Sequence, residues 1–171
     1  DSLETAKALE AAVKSESPSY LRLTGTSNNP IIYSKDYEYK IGKSITLREG
    51  EDITIFCAGA MVYQSLEAAK ILESKKIYSK VVNMHTIKPI DKIAIEEACN
   101  SKLIVSIEEH NVIGGLGSAI AEYKSSLNKS PKQLFLGVKD TYGKKGGNYK
   151  FLQEKHRLTA DKIVEDILLN R

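Results

Sequence analysis

The sequence lacks several features that would assign it to a protein class at once. It contains no tryptophan, four prolines and two cysteines among 171 residues. Cys57 lies in an apolar run and Cys99 ends a helical pattern, so neither has the neighbours that a zinc site or a disulfide framework requires. An apolar run of the roughly twenty residues needed for a membrane span is also missing. These absences predict a soluble protein of the reducing cytoplasm with no membrane partner.

A strong charge of one sign is missing as well. The chain carries 25 Lys and Arg against 22 Asp and Glu, which gives a formal net charge of +3. Acidic residues stand close to basic ones along most of the chain, whereas nucleic-acid binding needs a concentrated positive field. We therefore expect no nucleic-acid partner. The length suits one globular core with some flanking structure.

The beginning of the chain has the pattern of a helix. The first residue is Asp1 rather than Met, so we expect the chain to derive from a longer protein. Asp1 and Glu4 have the spacing of a capping box, and apolar residues then recur at helical intervals. This pattern predicts a helix over 1–15 that belongs to an upstream domain.

A short strand and a linker are predicted after this helix. Residues 19–23 alternate between apolar and polar side chains, which predicts a strand that ends at Gly25. Residues 26–41 show no clear periodicity and contain a turn signal at 28–30. We interpret 1–25 as the tail of one domain, 26–41 as a linker, and 42–171 as a second domain.

The second domain alternates between strand-like and helix-like patterns. The run over 53–58 is almost entirely apolar, which is typical of a strand buried on both faces. The predicted strands cover 44–47, 53–58, 78–84, 103–107 and 133–138, and the predicted helices cover 62–72, 90–99, about 118–127 and 159–169. This alternation predicts an α/β domain with about five strands in a largely parallel sheet and right-handed crossovers.

The densest group of chemically informative residues follows the strand at 103–107. Gly114, Gly115 and Gly117 stand where a strand turns into a helix, and free amides at such a helix start can hold an anion. A dinucleotide fingerprint would need G-x-G-x-x-G, whereas the sequence here is GGLGS. We therefore favour a tight strand-to-helix turn, with nucleotide binding as the alternative.

Glu108, Glu109 and His110 precede these glycines and are candidates for an acid/base group. A carboxylate can orient an imidazole whose ordinary pKa lies near neutrality. Consecutive residues of a strand point in different directions, however. We favour a structural or interface role for His110 and keep it as a catalytic candidate.

Two further clusters have mainly structural explanations. Pro89 disfavours helix at Lys88, and Asp91 is placed to cap the next helix, which leaves His85 and Lys88 as exposed candidates. The segment 139–148 is rich in lysine and glycine and could bind an anion, although a solvated loop is the commoner outcome for such a composition. The spacing of His, Cys, Asp and Glu indicates no metal site.

Four segments, taken together, resemble the C-terminal domain of the transketolase family. They are GEDITIFCAGAMVYQSLEAAKIL, VVNMHTIKPID, LIVSIEEHNVIGGLGSAIAE and LGVKDTYGKKG, and the resemblance covers about residues 42–169. Residues 1–25 resemble the last helix and strand of the preceding pyrimidine-binding domain, in the pattern D-x-x-E-T…P-x-Y-x-R-L. The family includes transketolase, 1-deoxyxylulose-5-phosphate synthase and the β subunits of 2-oxoacid dehydrogenases. The motifs K-P-x-D and E-E-H…G-G-L-G-S are more similar to transketolase and the synthase than to the dehydrogenase subunits.

The resemblance implies a fold and a division of labour. The fold is a three-layer α/β/α domain with five strands, the first of them antiparallel. The chemistry is that of thiamine diphosphate, whose ylid attacks a carbonyl and stabilises the resulting carbanion. In this family the diphosphate and Mg2+ are held by a G-D-G…N motif, and the activating glutamate lies in the pyrimidine-binding domain. This sequence contains neither, so we expect the cofactor and Mg2+ to be bound by missing domains.

The resemblance also bears on the substrate. Many members that act on sugar phosphates have an arginine soon after the P-x-Y-x-R-L strand, and the corresponding position here is Gly25, beside Thr24. Arg22 is retained but faces differently, because alternate residues of a strand point to opposite sides. These three residues are the candidates for proximity to substrate. Another acyl or ketol donor is therefore a possible substrate.

The sequence thus predicts the C-terminal fragment of a transketolase-like enzyme, inactive on its own. Its role would be to pack on the pyrimidine-binding domain and to support a homodimer or a heterotetramer, with the upstream domains on the same chain or on a partner subunit. The alternative is a free-standing α/β module for interaction or nucleotide binding.

Overall fold

The computed structural model describes residues 1–25, 30–143 and 145–171 of the protein. Apolar strands and amphipathic helices alternate, as their hydrophobic periods predict. The strands are β1 (Ile45–Arg48), β2 (Ile53–Cys57), β3 (Ser79–Asn83), β4 (Leu103–Asn111) and β5 (Gln133–Val138). The helices are α1 (Ser2–Val13), α2 (Met61–Ser74), α3 (Lys92–Ala98), α4 (Leu116–Lys124), α5 (Tyr149–Lys155) and α6 (Ala160–Asn170).

The strands form one sheet in the order β1-β3-β2-β4-β5. β2, β3, β4 and β5 pair in parallel, and β1 pairs with β3 in the antiparallel direction, with Ile45 opposite Asn83. The five-stranded, mostly parallel sheet and its antiparallel first strand are confirmed. All five residues of β2 are buried, as expected for a central strand with helices on both faces.

The two faces of the sheet carry separate cores. Ile55 and Cys57 of β2 pack with α2 and α6, in a core that includes Leu72 and Ile163. Phe56 points to the opposite face, where the core includes residues of α3 and α4. Successive strand residues point to opposite faces. Because the residues of β2 are buried in both cores, helices cover both faces of the sheet and the architecture has three layers, α/β/α.

One predicted strand is wrong, and one helix was not predicted. Residues 19–23 form no strand: Tyr20 is 91% exposed and Leu23 is 57% exposed. A strand requires a hydrogen-bonded neighbour, and this segment pairs with no other strand in the described chain. The unpredicted helix is α5, which begins where the Asn148 side chain accepts a hydrogen bond from the Phe151 amide at 2.9 Å.

Three other boundaries differ from the sequence-based expectations. β4 continues beyond 107 to Asn111, and α4 ends at Lys124 rather than near 127. α1 begins at Ser2, and none of its residues is buried. The turn predicted at 28–30 falls largely on residues outside the described part of the chain.

Candidate functional site

The carboxylate of Glu108 fills the start of α4. Glu108 lies near the carboxyl end of β4 and is 4% exposed. Its Oε2 accepts a hydrogen bond from the Leu116 amide at 2.7 Å, and its Oε1 accepts one from the Gly117 amide at 2.9 Å. The first amides of a helix have no partner within the helix and attract negative charge. β4 therefore supplies, from within the fold, the anion that this helix start would otherwise take from solution.

The glycines of the turn serve three different geometric needs. Gly114 has a φ of +79°, a conformation that favours glycine. A Cβ on Gly115 would collide with the Glu108 carboxylate, so the absence of a side chain there lets the carboxylate approach. A Cβ on Gly117 would come within 2.6 Å of the Ser106 hydroxyl, so this glycine allows α4 to pack closely on β4. The turn is built around Glu108.

This geometry leaves no place for a nucleotide phosphate at the start of α4. An anionic ligand would have to displace a buried carboxylate that already holds two amides at normal hydrogen-bond distances. The sequence suggested that the amides at this helix start are free, but Leu116 and Gly117 both donate to Glu108. The alternative of nucleotide binding at the glycine-rich turn is therefore not favoured.

His110 lies at the surface and does not form an acid/base pair with Glu108. Its side chain is 53% exposed, and its Nδ1 is 4.0 Å from the Glu108 carboxylate, too far for a hydrogen bond. Nδ1 lies 2.8 Å from the Asn111 carbonyl oxygen, and since a carbonyl only accepts, Nδ1 carries the proton. Glu108 and His110 thus use their polar atoms for the turn and the strand end.

Arg22 lies beside this strand end. Its Nη2 is 3.5 Å from the backbone oxygen of Glu109. Burial first, and then the nearby Glu109 carboxylate, raises the pKa of Tyr149. The structure therefore brings Arg22, β4 and the start of α5 together. Thr24 is half-buried, and Gly25 is exposed with open space around the position of a Cβ.

The two acidic residues of D-x-x-E hold the N-terminal segment to the sheet. Asp1 Oδ1 accepts from the Glu4 amide at 3.0 Å, as the first half of a capping box does. Asp1 Oδ2 accepts from the amides of Ile32 and Tyr33 at 2.8 and 2.9 Å. Glu4 accepts from the Tyr33 hydroxyl at 3.1 Å and from the side-chain amide of Asn83 in β3. The spacing of Asp1 and Glu4 indicates the cap, but no sequence pattern indicates these long-range contacts.

His85 is half-buried rather than exposed, which corrects the sequence-based expectation. Its ring stacks on Tyr39 with the centroids 4.1 Å apart, and its Nδ1 lies 2.9 Å from the Thr86 hydroxyl. Burial lowers the pKa of His85 to about 4, so the ring is neutral at pH 7. Lys88 remains exposed, and Asp91 caps α3 through the Ala94 amide at 3.4 Å.

The described residues contain no group of three or more His, Cys, Asp or Glu that could hold a metal ion. Both cysteines are free, and burial raises the pKa of Cys57 to about 12, which keeps it a thiol. Across 1–25, 30–143 and 145–171, no helix has the length and apolar character to cross a membrane.

Comparisons with known proteins agree on one family. A family model described as "Transketolase, C-terminal domain" matches residues 42–163. A putative transketolase C-terminal section of Methanocaldococcus jannaschii is 35% identical over 148 residues, which are 85% of this chain and 46% of that protein. A 6-deoxy-6-sulfo-D-fructose transketolase subunit of Clostridium sp. strain MSTE9 is 37% identical over 167 residues, 96% of this chain and 50% of that protein. The chain thus spans about half the length of these curated relatives.

Solved structures give the same result. A structure described as "Split gene transketolase, inactive beta4 tetramer" matches with a TM-score of 0.89 and 38% identity, over 98% of this chain and 54% of the other. The transketolase of Campylobacter jejuni matches with a TM-score of 0.69 and 19% identity over 99% of this chain and 25% of that one, which supports the fold alone.

Proposed function

Because the chain belongs to the transketolase family through its C-terminal domain, we propose that it is the C-terminal part of a thiamine diphosphate-dependent enzyme that transfers a ketol or acyl group. The observation that supports this proposal most directly is the match to a split-gene transketolase, which covers almost the whole of this chain and about half of the transketolase chain. The curated relatives named above are likewise called a section and a subunit of transketolases. The free-standing module is not favoured by these matches.

The cofactor is held by other parts of the enzyme. Thiamine diphosphate needs a site for a diphosphate with Mg2+, and the residues described here do not fit one. The helix start after the glycine-rich turn is filled by Glu108, and the described residues hold no cluster of metal ligands. When bound, the cofactor supplies the carbanion chemistry. The contribution of this chain is packing and assembly.

The division of the chain follows from this role. We assign 1–25 to the pyrimidine-binding domain, 26–41 to a linker, and 42–171 to the C-terminal domain. The contacts of Asp1 with 32–33, and of Glu4 with Asn83, support this arrangement because they tie the end of one domain to the linker and to the sheet of the next. Arg22 extends toward the carboxyl end of β4.

The N-terminal segment also supplies the surface for assembly. Four of its large apolar side chains are more than half exposed, namely Leu9, Val13, Tyr20 and Leu23, and so is Ile31 of the linker. Exposed apolar residues that lie close together are typical of an interaction surface. The partner is the cofactor-binding part of the enzyme, on the same polypeptide or on another subunit, in a homodimer or a heterotetramer. We place this assembly in the cytoplasm.

The substrate is a ketol or acyl donor whose far end is not held by an arginine at position 25. Gly25 is exposed and has no side chain to offer an anion. Arg22 and Thr24 are the remaining polar candidates on this segment. One relative is named for a sulfonated sugar, and a donor panel should therefore include phosphorylated, sulfonated and uncharged ketoses.

The test is reconstitution of activity. The segment that carries the G-D-G…N motif, encoded upstream or by a separate gene, is produced apart from this chain and then mixed with it. We expect ketol transfer only in the mixture, together with co-elution of the two parts. An R22Q variant tests the substrate face: a raised KM with co-elution retained supports proximity to substrate. Activity of the chain alone, or no complex between the two parts, would refute the proposal.

A further inference from the structure

The lysine-rich loop after β5 meets the end of α5 at an open cleft. The cleft has a volume of about 280 Å3, with Leu136 and Gly137 of β5 on one side. Its polar lining comes from two separate parts of the chain: Lys139 and Thr141, and Lys155, His156, Arg157 and Asp166. The cleft lies at the carboxyl end of a parallel strand, which is the usual edge for ligands in α/β sheets.

The lining of this cleft is basic. It contains Lys139, Lys155 and Arg157 against one acidic residue, Asp166. The Asp140 carboxylate does not line the cleft, and it accepts a hydrogen bond from Asn111 Nδ2 at 3.1 Å. Asp140 therefore does not neutralise the lysines that line the cleft.

Two lysines remain available to a ligand. Arg157 donates to Asp166 at 2.7 Å and to Glu165 at 3.1 Å. Glu165 also accepts from Lys162 at 2.8 Å, so these two cations and two carboxylates balance one another within the fold. Lys139 bonds only weakly to the Phe135 carbonyl, at 3.4 Å. Among the described residues no ion pair involves Lys139 or Lys155. Their ammonium groups can therefore meet an anion without breaking an ion pair.

We propose that this cleft binds the phosphate group of a small molecule through Lys139 and Lys155, with Thr141 and His156 as hydrogen-bonding neighbours. Lysine binds phosphate as a point charge, and threonine and histidine can donate to phosphate oxygens. The volume suits a phosphate or diphosphate with a short organic part. The cleft shares none of its lining residues with the turn at Glu108, and the proposal does not depend on the reaction of the complete enzyme.

The test is a titration followed by amide NMR at constant ionic strength, with chloride as the balancing anion. The probes are inorganic phosphate, pyrophosphate and glycerol 3-phosphate, so that binding of a free anion is distinguished from binding of a phosphate ester. We expect saturable shifts centred on the amides of Gly137, Thr141 and His156. An ester that binds more tightly than both inorganic anions would identify the organic part as a recognised element.

A pair of matched double variants makes the result specific. K139Q/K155Q removes two charges from the cleft, and K75Q/K129Q removes two exposed charges elsewhere. We expect the first to weaken binding at least about tenfold, since each charge-assisted hydrogen bond is a strong one, and the second to retain it. Shifts that do not saturate, or equal weakening in both variants, would show general charge screening and overturn the proposal. All four side chains are exposed, so the variants should fold.

Discussion

The replacement of Glu108 by alanine tests the logic of the glycine-rich turn. This change leaves the buried amides of Leu116 and Gly117 without an acceptor. Each buried, unsatisfied donor costs about 1–3 kcal/mol, and loss of the charge at the helix start costs about 0.3–1 kcal/mol more. Removal of a buried carboxylate, which is itself costly to desolvate, offsets part of this loss. We expect a net destabilisation of about 2–3 kcal/mol.

Thermal melts and hydrogen exchange measure this effect together. For a chain of this length the destabilisation corresponds to a fall in Tm of about 5–10 °C. The amides of Leu116 and Gly117 should lose protection before the rest of α4. E108Q, which keeps one acceptor oxygen, should lie between E108A and the parent. E122A removes an exposed glutamate from the same helix and should melt within about 1 °C of the parent.

Sulfate distinguishes a vacated anion site from a general loss of packing. If the carboxylate fills the anion position of α4, sulfate should raise the Tm of E108A more than that of the parent or of E122A. An E108A variant that melts like the parent, with protection at Leu116 and Gly117 unchanged, would refute the reasoning.

Three further predictions follow from the described contacts. Gly114→Val should destabilise the fold by about 1–3 kcal/mol, because φ at this position is +79°. Gly25→Val, at an exposed position with open space, should melt like the parent. A Gly114→Val variant that also melts like the parent would show that the turn is unstrained. His85 has a pKa of about 4 in the fold against 6.5 ordinarily, so the unfolded chain takes up the proton first and stability should fall as the pH drops from about 6.5 toward 4. His85→Phe should flatten this part of the profile in pH-dependent denaturant melts, and an unchanged slope would contradict the burial argument. In dilute, monomeric samples, amides of 2–13 should exchange faster than those of 53–57, because α1 buries none of its residues; equal protection would argue that α1 belongs to the same cooperative unit.

The sheet was predictable because its signals are local. The strand at 53–57 is an almost entirely apolar run that ends before Gly59, and the helices between the later strands repeat their apolar residues at helical intervals. Residues 19–23 show the same kind of alternation without forming a strand, since alternation cannot report whether a neighbouring strand exists. α5 escaped prediction because it is short and follows a loop rich in lysine and glycine, although Asn148 is a good capping residue.

The candidate site was predictable in its shape but not in its contacts. Three glycines between a strand and a helix indicate a tight turn. That the Glu108 carboxylate should fill the helix start depends on how β4 and α4 meet, eight and nine residues apart in the chain. The contact of Glu4 with Asn83 spans 79 residues and depends wholly on the tertiary fold. Local spacing carries no information on either contact.

Calorimetric titration with thiamine diphosphate and Mg2+ tests the central claim most directly. The titration is made on this chain alone and on its stoichiometric mixture with the segment that carries the G-D-G…N motif. We expect no Mg2+-dependent binding to the chain alone and micromolar binding to the mixture, because Glu108 fills the helix start after the glycine-rich turn and the described residues contain no cluster of metal ligands to hold Mg2+. Micromolar binding to the isolated chain would contradict the account.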